Sequence, residues 1–329
     1  MDFGFSRLLR SPHVQTLGAA LPVHCPPRSF VAPPRETLRV RASHGRFSGA
    51  VQADAWFVAS RTRAVVLVHG IGGDAGSRYV VRAAVAIHRA GLHVVRMSMR
   101  GAGTSIDSAP SLYHAGLTED LGALVRSLLA DPRVSDVVVL GFSGGGNVAL
   151  KLVGELGDEA PAGLAAIVSV SAPLDFTTVG PHMDAVARLP YRFHILRGLV
   201  RQAQAFARIF PERVTFDVGR LSRLGTFREY DANLVVPTYG FASVDDYWER
   251  AGARASLSRV AVPSLVVHAF DDPMVPGRLV REALVTASHA VDLEMSAKGG
   301  HIGWYDGLDE ASFVSPWAVK RALAFFERH

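Results

Sequence analysis

Asp136-Val137-Val138-Val139-Leu140-Gly141-Phe142-Ser143-Gly144-Gly145-Gly146-Asn147-Val148-Ala149-Leu150 is the stretch from which the fold can be read. Asp136–Leu140 is a short, β-branched apolar run, the pattern of a buried strand. From Gly145 to Leu156 the apolar residues return at helical spacing. Between them stands Gly141-Phe142-Ser143-Gly144-Gly145, a Gly-x-Ser-x-Gly turn. A strand-to-helix turn this sharp strains the serine, and only small residues two positions to either side avoid a clash, hence Gly141 and Gly145. The turn lifts the hydroxyl above the sheet at a helix N-terminus, where negative charge is favoured. A merely flexible glycine turn accounts for the glycines but not for the strand before and the helix behind.

Working outward, short apolar runs alternate with helical patterns, as in a parallel sheet covered on both faces. Ala64–Val68 predicts a strand followed by a helix over Arg78–Arg89, and Leu92–Met97 a strand followed by a helix over Leu117–Leu129. Ala165–Val170, Ser264–Ala269 and Val291–Met295 are further strands, with a helix between the last two. Glu36–Val40 and Val51–Val58 read as an antiparallel start. Ser315 as cap and Pro316 at the first helical position predict a final helix running to Arg328. The expected fold class is α/β: one domain over 1–329 with a mostly parallel eight-stranded sheet flanked by helices. Residues 174–260 break the alternation. With Phe193, Leu196, Val200, Ala203 and Ala207 at helical spacing, they predict an inserted helical cap whose apolar side, through Phe193, Leu196 and Val200, lines a pocket.

A serine hydroxyl becomes a nucleophile when a base takes its proton, and the base needs an orienting carboxylate. In folds of this kind the partners follow in the order serine, acid, histidine. Ser264–Ala269 runs into Phe270-Asp271-Asp272-Pro273, and Val291–Met295 runs into Gly299-Gly300-His301-Ile302-Gly303. Asp272 is therefore the expected acid and His301 the expected base. Asp271 is the alternative acid, or holds the turn through backbone amides. His69-Gly70-Ile71-Gly72-Gly73, after the strand at 64–68, supplies a loop for an oxyanion hole, whose donors are the backbone N–H groups of Ile71 and Gly144. The same loop formally satisfies a dinucleotide fingerprint through Ala75. The following strand ends Val95-Arg96-Met97-Ser98, however, without the carboxylate that would hold a ribose. His88, His93 and His268 lack metal-ligand spacing, and neither metal nor organic cofactor is expected.

Composition closes off other classes. Hydrophobic residues make up 49% of the 329 positions, which excludes disorder as the dominant state. The net charge is +5, but lysine stands only at 151, 298 and 320, and no basic stretch is interleaved with aromatics; nucleic acid is not an expected partner. The single cysteine, Cys25, fits a reducing compartment. No apolar run reaches the roughly 18 residues of a membrane span, and Met1-Asp2-Phe3-Gly4-Phe5-Ser6-Arg7 does not open like a signal peptide, so a soluble cytoplasmic protein is expected. Nine arginines between 188 and 228 make the cap the most basic part of the chain, which predicts either a solvated helix face or contact with an anionic membrane surface.

With these residues in place, the chain resembles the YheT-like, or AB hydrolase 4, branch of the α/β-hydrolases, a family of esterases and acylglycerol lipases. The resemblance rests on Ser11-Pro12-His13-Val14-Gln15-Thr16-Leu17, Met99-Arg100-Gly101-Ala102-Gly103, Tyr113-His114-Ala115-Gly116, Gly141–Asn147, Phe227-Arg228-Glu229-Tyr230-Asp231, Phe270–Pro273 and Gly299–Gly303. It implies the α/β-hydrolase fold, Ser143 as nucleophile, Asp272 as acid, His301 as base, and a small ester or lipid as substrate. Where the family has leucine after the nucleophile this chain has Gly144, which predicts a looser oxyanion region. Ser11 replaces the family's asparagine. Acyl transfer to an acceptor other than water, and ligand binding without catalysis, are the competing readings on the same fold.

Overall fold

The computed structural model describes residues 7–329 except 22, 24, 46, 110, 308 and 315, so the expected cap at Ser315 and the opening residues 1–6 lie outside the described residues. Eight strands form one sheet: β1 (Glu36–His44), β2 (Phe47–Trp56), β3 (Thr62–Val68), β4 (His93–Ser98), β5 (Val134–Phe142), β6 (Leu164–Val170), β7 (Ser264–Ala269) and β8 (Val291–Ser296). Their order is β1-β2-β4-β3-β5-β6-β7-β8. β1 pairs antiparallel with β2 and β2 antiparallel with β4, and every other neighbouring pair is parallel. The centre is β3 and β5, where Val65–Val68 and Val137–Leu140 have no solvent exposure. Residues buried on both faces explain why these strands read as continuous valine runs rather than alternating ones.

Helices α1 (Pro12–Ala20), α2 (Arg78–Arg89), α3 (Glu119–Leu129) and α4 (Gly144–Leu156) precede the segment between β6 and β7. That segment holds α5 (Phe176–Asp184), α6 (Leu189–Ile209), α7 (Phe227–Tyr230), a π-helical turn at Asp231–Val235, α8 (Val236–Tyr239) and α9 (Val244–Ala251). After β7 come α10 (Gly277–Ala283), α11 (Glu310–Val314) and α12 (Trp317–Phe326). Pro316 sits one residue before α12 rather than inside it, and the helix stops two residues short of Arg328. Two apolar layers cover the sheet. One joins α3 and α4 with the segment between β6 and β7, and the other joins α2 and α12.

The inward stripe of α6 is Arg192, Leu196, Leu199, Ala203 and Phe206. Phe193 is 63% exposed, which corrects the expectation that it lines a pocket. The physical reason is Arg192. Its guanidinium turns inward and donates to the carbonyls of Asp184 and Ala185, rotating the helix so that Phe193 faces out. No helix among the described residues is long and apolar enough to cross a membrane.

Candidate active site

Ser143 ends β5 and opens α4 with φ 50° and ψ −121°, a conformation costing an L-residue roughly 1–3 kcal/mol. The neighbours leave no alternative to glycine. A Cβ on Gly141 would lie 2.4 Å from the Gly145 carbonyl oxygen, and one on Gly145 would lie 2.4 Å from that of Val68. The serine N–H donates to the Val170 carbonyl at 2.7 Å, tying the turn to β6.

The structure brings Ser143, His301 and Asp272 together. Ser143 Oγ lies 3.1 Å from His301 Nε2, and His301 Nδ1 lies 2.7 Å from Asp272 Oδ2. Asp272 is buried at the end of β7, and its Oδ1 accepts from the N–H groups of Met274 and Val275. Burial pushes this carboxyl up. The adjacent His301, then His268 and the Val275 N–H, outweigh that and hold it below the ordinary carboxylate value. An ionised Asp272 accepts from Nδ1–H, which leaves Nε2 as the acceptor facing the serine hydroxyl.

Asp271 points elsewhere. Its Oδ1 accepts from Gly300 N–H at 3.0 Å, so it fastens the loop that carries His301 rather than its own turn. Burial raises its carboxyl above the ordinary range.

The loop after β3 approaches the serine from the other side. His69 is fully buried. Its Nε2 accepts from Met99 N–H and its Nδ1 faces the Gly70 carbonyl, and burial keeps the ring in its neutral form by lowering its pKa. The N–H of Gly70 is taken by the Tyr79 hydroxyl and that of Gly72 by the Tyr113 hydroxyl. Among the described residues the intervening Ile71 N–H has no such partner. Gly144 begins α4, whose first N–H groups have no intrahelical acceptor. The two positions adjoin: a Cβ on Gly144 would stand 3.3 Å from Ile71 N and 2.6 Å from Ile71 Cγ1. The Ile71 side chain thus occupies the space a residue-144 side chain would fill, and the glycine leaves no enlarged region there.

Sequence reasoning missed the clamp on the histidine loop. The His301 N–H donates to Thr16 Oγ1 at 2.9 Å. Gln15 accepts from Tyr305 N–H and donates to the Tyr305 and Leu9 carbonyls. Ile302 N–H donates to Ser171 Oγ. Gly300, at φ +59°, packs so closely that a Cβ would lie 2.4 Å from the Pro12 carbonyl oxygen. These partners are up to 290 residues apart, beyond any local pattern. His13 and Tyr191 share a hydrogen bond that ties α1 to α6 as well.

A cavity borders both Ser143 and His301 and runs under α5, α6 and α9. Phe176, Val179, Met183, Ile195, Leu199 and Trp248 supply much of its wall. Ile195 and Leu199 stand where Phe193, Leu196 and Val200 were expected. Among the described residues no group of histidine, cysteine and carboxylate side chains could hold a metal ion.

Comparison with known proteins agrees with this fold. Residues 63–308 match the family model described as alpha/beta hydrolase fold. The YheT protein of Escherichia coli (strain K12) is 27% identical over 74% of this chain and 71% of its own. The monoacylglycerol lipase of Saccharomyces cerevisiae is 26% identical over 73% of this chain and 54% of its own, and phospholipase ABHD3 of Mus musculus 25% over 77% and 61%. The chain thus spans little more than half the length of these eukaryotic relatives. Among solved structures, the Pyrococcus furiosus esterase Pf2001 superposes with a TM-score of 0.58 at 15% identity, covering 90% of this chain and 92% of that one. With the sheet order, the serine turn and these matches in agreement, the chain belongs to the α/β-hydrolase fold family.

Proposed function

We propose that this protein hydrolyses carboxylic esters of short or medium acyl chain, acylglycerols among them, with Ser143 as nucleophile, His301 as general base and Asp272 as its orienting acid. The observation that carries the reading is the continuous chain Ser143 Oγ, His301, Asp272, at 3.1 and 2.7 Å. Ser143 Oγ attacks the ester carbonyl carbon while its proton passes to His301 Nε2. The N–H groups of Ile71 and Gly144 receive the developing oxyanion. The carbon–oxygen bond to the alcohol then breaks, and His301 returns the proton to the departing alkoxide. Water attacks the acyl-enzyme, its proton going to His301 and then to Ser143, which frees the acid. The test is a panel of plain esters of graded chain length with an alcohol acceptor present: free acid as main product supports hydrolysis, and transferred ester as main product favours the acyltransferase reading.

A peripheral contact of the cap with anionic lipid is a second proposal, consistent with a cytoplasmic protein working at a membrane surface. Val186, Leu189 and Phe193 are 83%, 51% and 63% exposed, and the arginines at 197, 201 and 208 are exposed on the same helix as the last two. Arg192 is excluded from this face because it is buried. Each basic residue near such a surface contributes roughly 1 kcal/mol and is screened by salt. Co-sedimentation with phosphatidylserine vesicles that is lost in high salt and in an Arg197, Arg201, Arg208 triple-glutamine variant supports it. Equal binding to neutral and anionic vesicles contradicts it.

A further inference from the structure

The apolar wall of the cavity beside Ser143 is interrupted in the cap by Tyr230 and Asp231, which are 4% and 8% exposed. Asp231 Oδ2 accepts from the Trp248 indole N–H at 2.7 Å. Its Oδ1 takes no protein donor among the described residues, and the Tyr230 hydroxyl likewise has no protein partner among them. The nearest charges do not supply one. Asp184 accepts from the N–H groups of Phe227 and Arg228, and the Arg228 guanidinium pairs with Asp245 while lying 4.5 Å from the Trp248 ring centroid. Trp248 is held in place from its other side as well, since a Cβ on Gly180 would lie 2.8 Å from the ring. A carboxyl oxygen left open beside an apolar cavity is costly unless a ligand supplies the missing bond.

We propose that Asp231 is a specificity-determining residue that hydrogen-bonds a hydroxyl carried on the acyl chain of the ester, with the Tyr230 hydroxyl beside it. This rests on the hydrolase reading of Ser143. The acyl chain is the part concerned because it stays bonded to Ser143 through both steps while the alcohol departs. A hydroxyl suits the carboxyl whether ionised or protonated, since it donates to the one and accepts from the other. An ammonium would shed its hydration among Phe176, Val179, Met183 and Leu199 at greater cost. A site with a buried polar group of this kind discriminates strongly against analogues that leave it unpaired.

The test compares kcat/KM for ethyl hexanoate, ethyl 3-hydroxyhexanoate, ethyl 6-hydroxyhexanoate and ethyl 6-aminohexanoate in the wild type, Asp231→Asn and Asp231→Leu. Each ratio compares substrates on one enzyme, so losses in folded fraction cancel. The wild type is expected to prefer at least one hydroxy ester by about tenfold or more. Asp231→Leu is expected to bring that ratio to about one, and Asp231→Asn, which keeps an acceptor, to retain part of it. A wild-type ratio at or below one for both hydroxy esters overturns the inference even if the leucine variant does not fold. So does a preference unchanged by Asp231→Leu, and so does a preference for the amino ester over both hydroxy esters. Hydrolysis of none of the four by the wild type overturns the hydrolase reading itself, and this inference with it.

Discussion

Asp271 and Asp272 are adjacent in the chain, yet the fold gives them opposite surroundings. Asp272 faces an imidazole and two N–H groups, whereas Asp271 faces the Gly300 amide with Lys298 at 3.9 Å. Asp272→Asn should lower kcat by roughly 10⁴-fold, because its amide favours the wrong tautomer of His301. Asp271→Asn should act mainly on stability, with a smaller kinetic loss through the His301 loop. Steady-state kinetics of both purified variants check this, and the reverse pattern would move the role to Asp271. The sequence made both carboxylates legible as a pair after a core strand and favoured Asp272 as the partner of the histidine, but it did not show what Asp271 fastens, since that depends on a loop 29 residues away. A third carboxyl gives a pH signature. Burial raises Asp231 from the ordinary 3.8 to about 7, with the Trp248 hydrogen bond opposing. Between these values the folded state keeps a proton that the unfolded chain releases, so this group's contribution to stability is full below about pH 4 and is lost as pH rises toward 7. Denaturant titrations should show the wild type losing stability relative to Asp231→Asn across that window, by on the order of 4 kcal/mol. A difference independent of pH would contradict the assignment.

At the scale of elements, α1 and α6 show what periodicity conveys. The signature 11–17 is recognisable in the sequence, but its task becomes apparent only in three dimensions, where Thr16 and Gln15 hold the loop that carries His301. Thr16→Val removes one acceptor for the His301 N–H. It should lower kcat by about 10- to 100-fold, because a small misplacement of the base is costly. Thr16→Ser, which keeps the hydroxyl, should restore most of the loss; equal losses in both variants would point to packing alone. For α6, the apolar spacing correctly indicates a helix but not its phase. Apolar residues lie on more than one side, and Arg192 decides the rotation through carbonyl acceptors at Asp184 and Ala185. No helical pattern in the sequence encodes that bond. The strands were more legible. A strand buried on both faces has few ways to be misread, and β7 begins and ends where its apolar run does.

For the molecule as a whole, the alternation of strands and helices was enough to place Ser143, Asp272 and His301 at the same edge of a mostly parallel sheet. The ends of parallel strands converge there, and the right-handed crossover connections leave little choice of arrangement. What alternation could not convey is the arrangement between β6 and β7, because helices of unequal length, from the four residues of α7 to the 21 of α6, joined by irregular turns have no shared period. The cavity wall, Asp231 and the clamp on His301 all depend on such long-range placement. Every step of the proposed hydrolysis passes through Ser143. The measurement is ester hydrolysis by the wild type and Ser143→Ala in parallel with covalent labelling by a fluorophosphonate, both proteins being checked for the same thermal transition. The wild type should hydrolyse ester and take up one label per chain at Ser143. The alanine variant should fold alike, take up none, and turn over at least about 10⁴-fold more slowly. Hydrolysis by Ser143→Ala within tenfold of the wild type, or label recovered on another residue, would contradict that route.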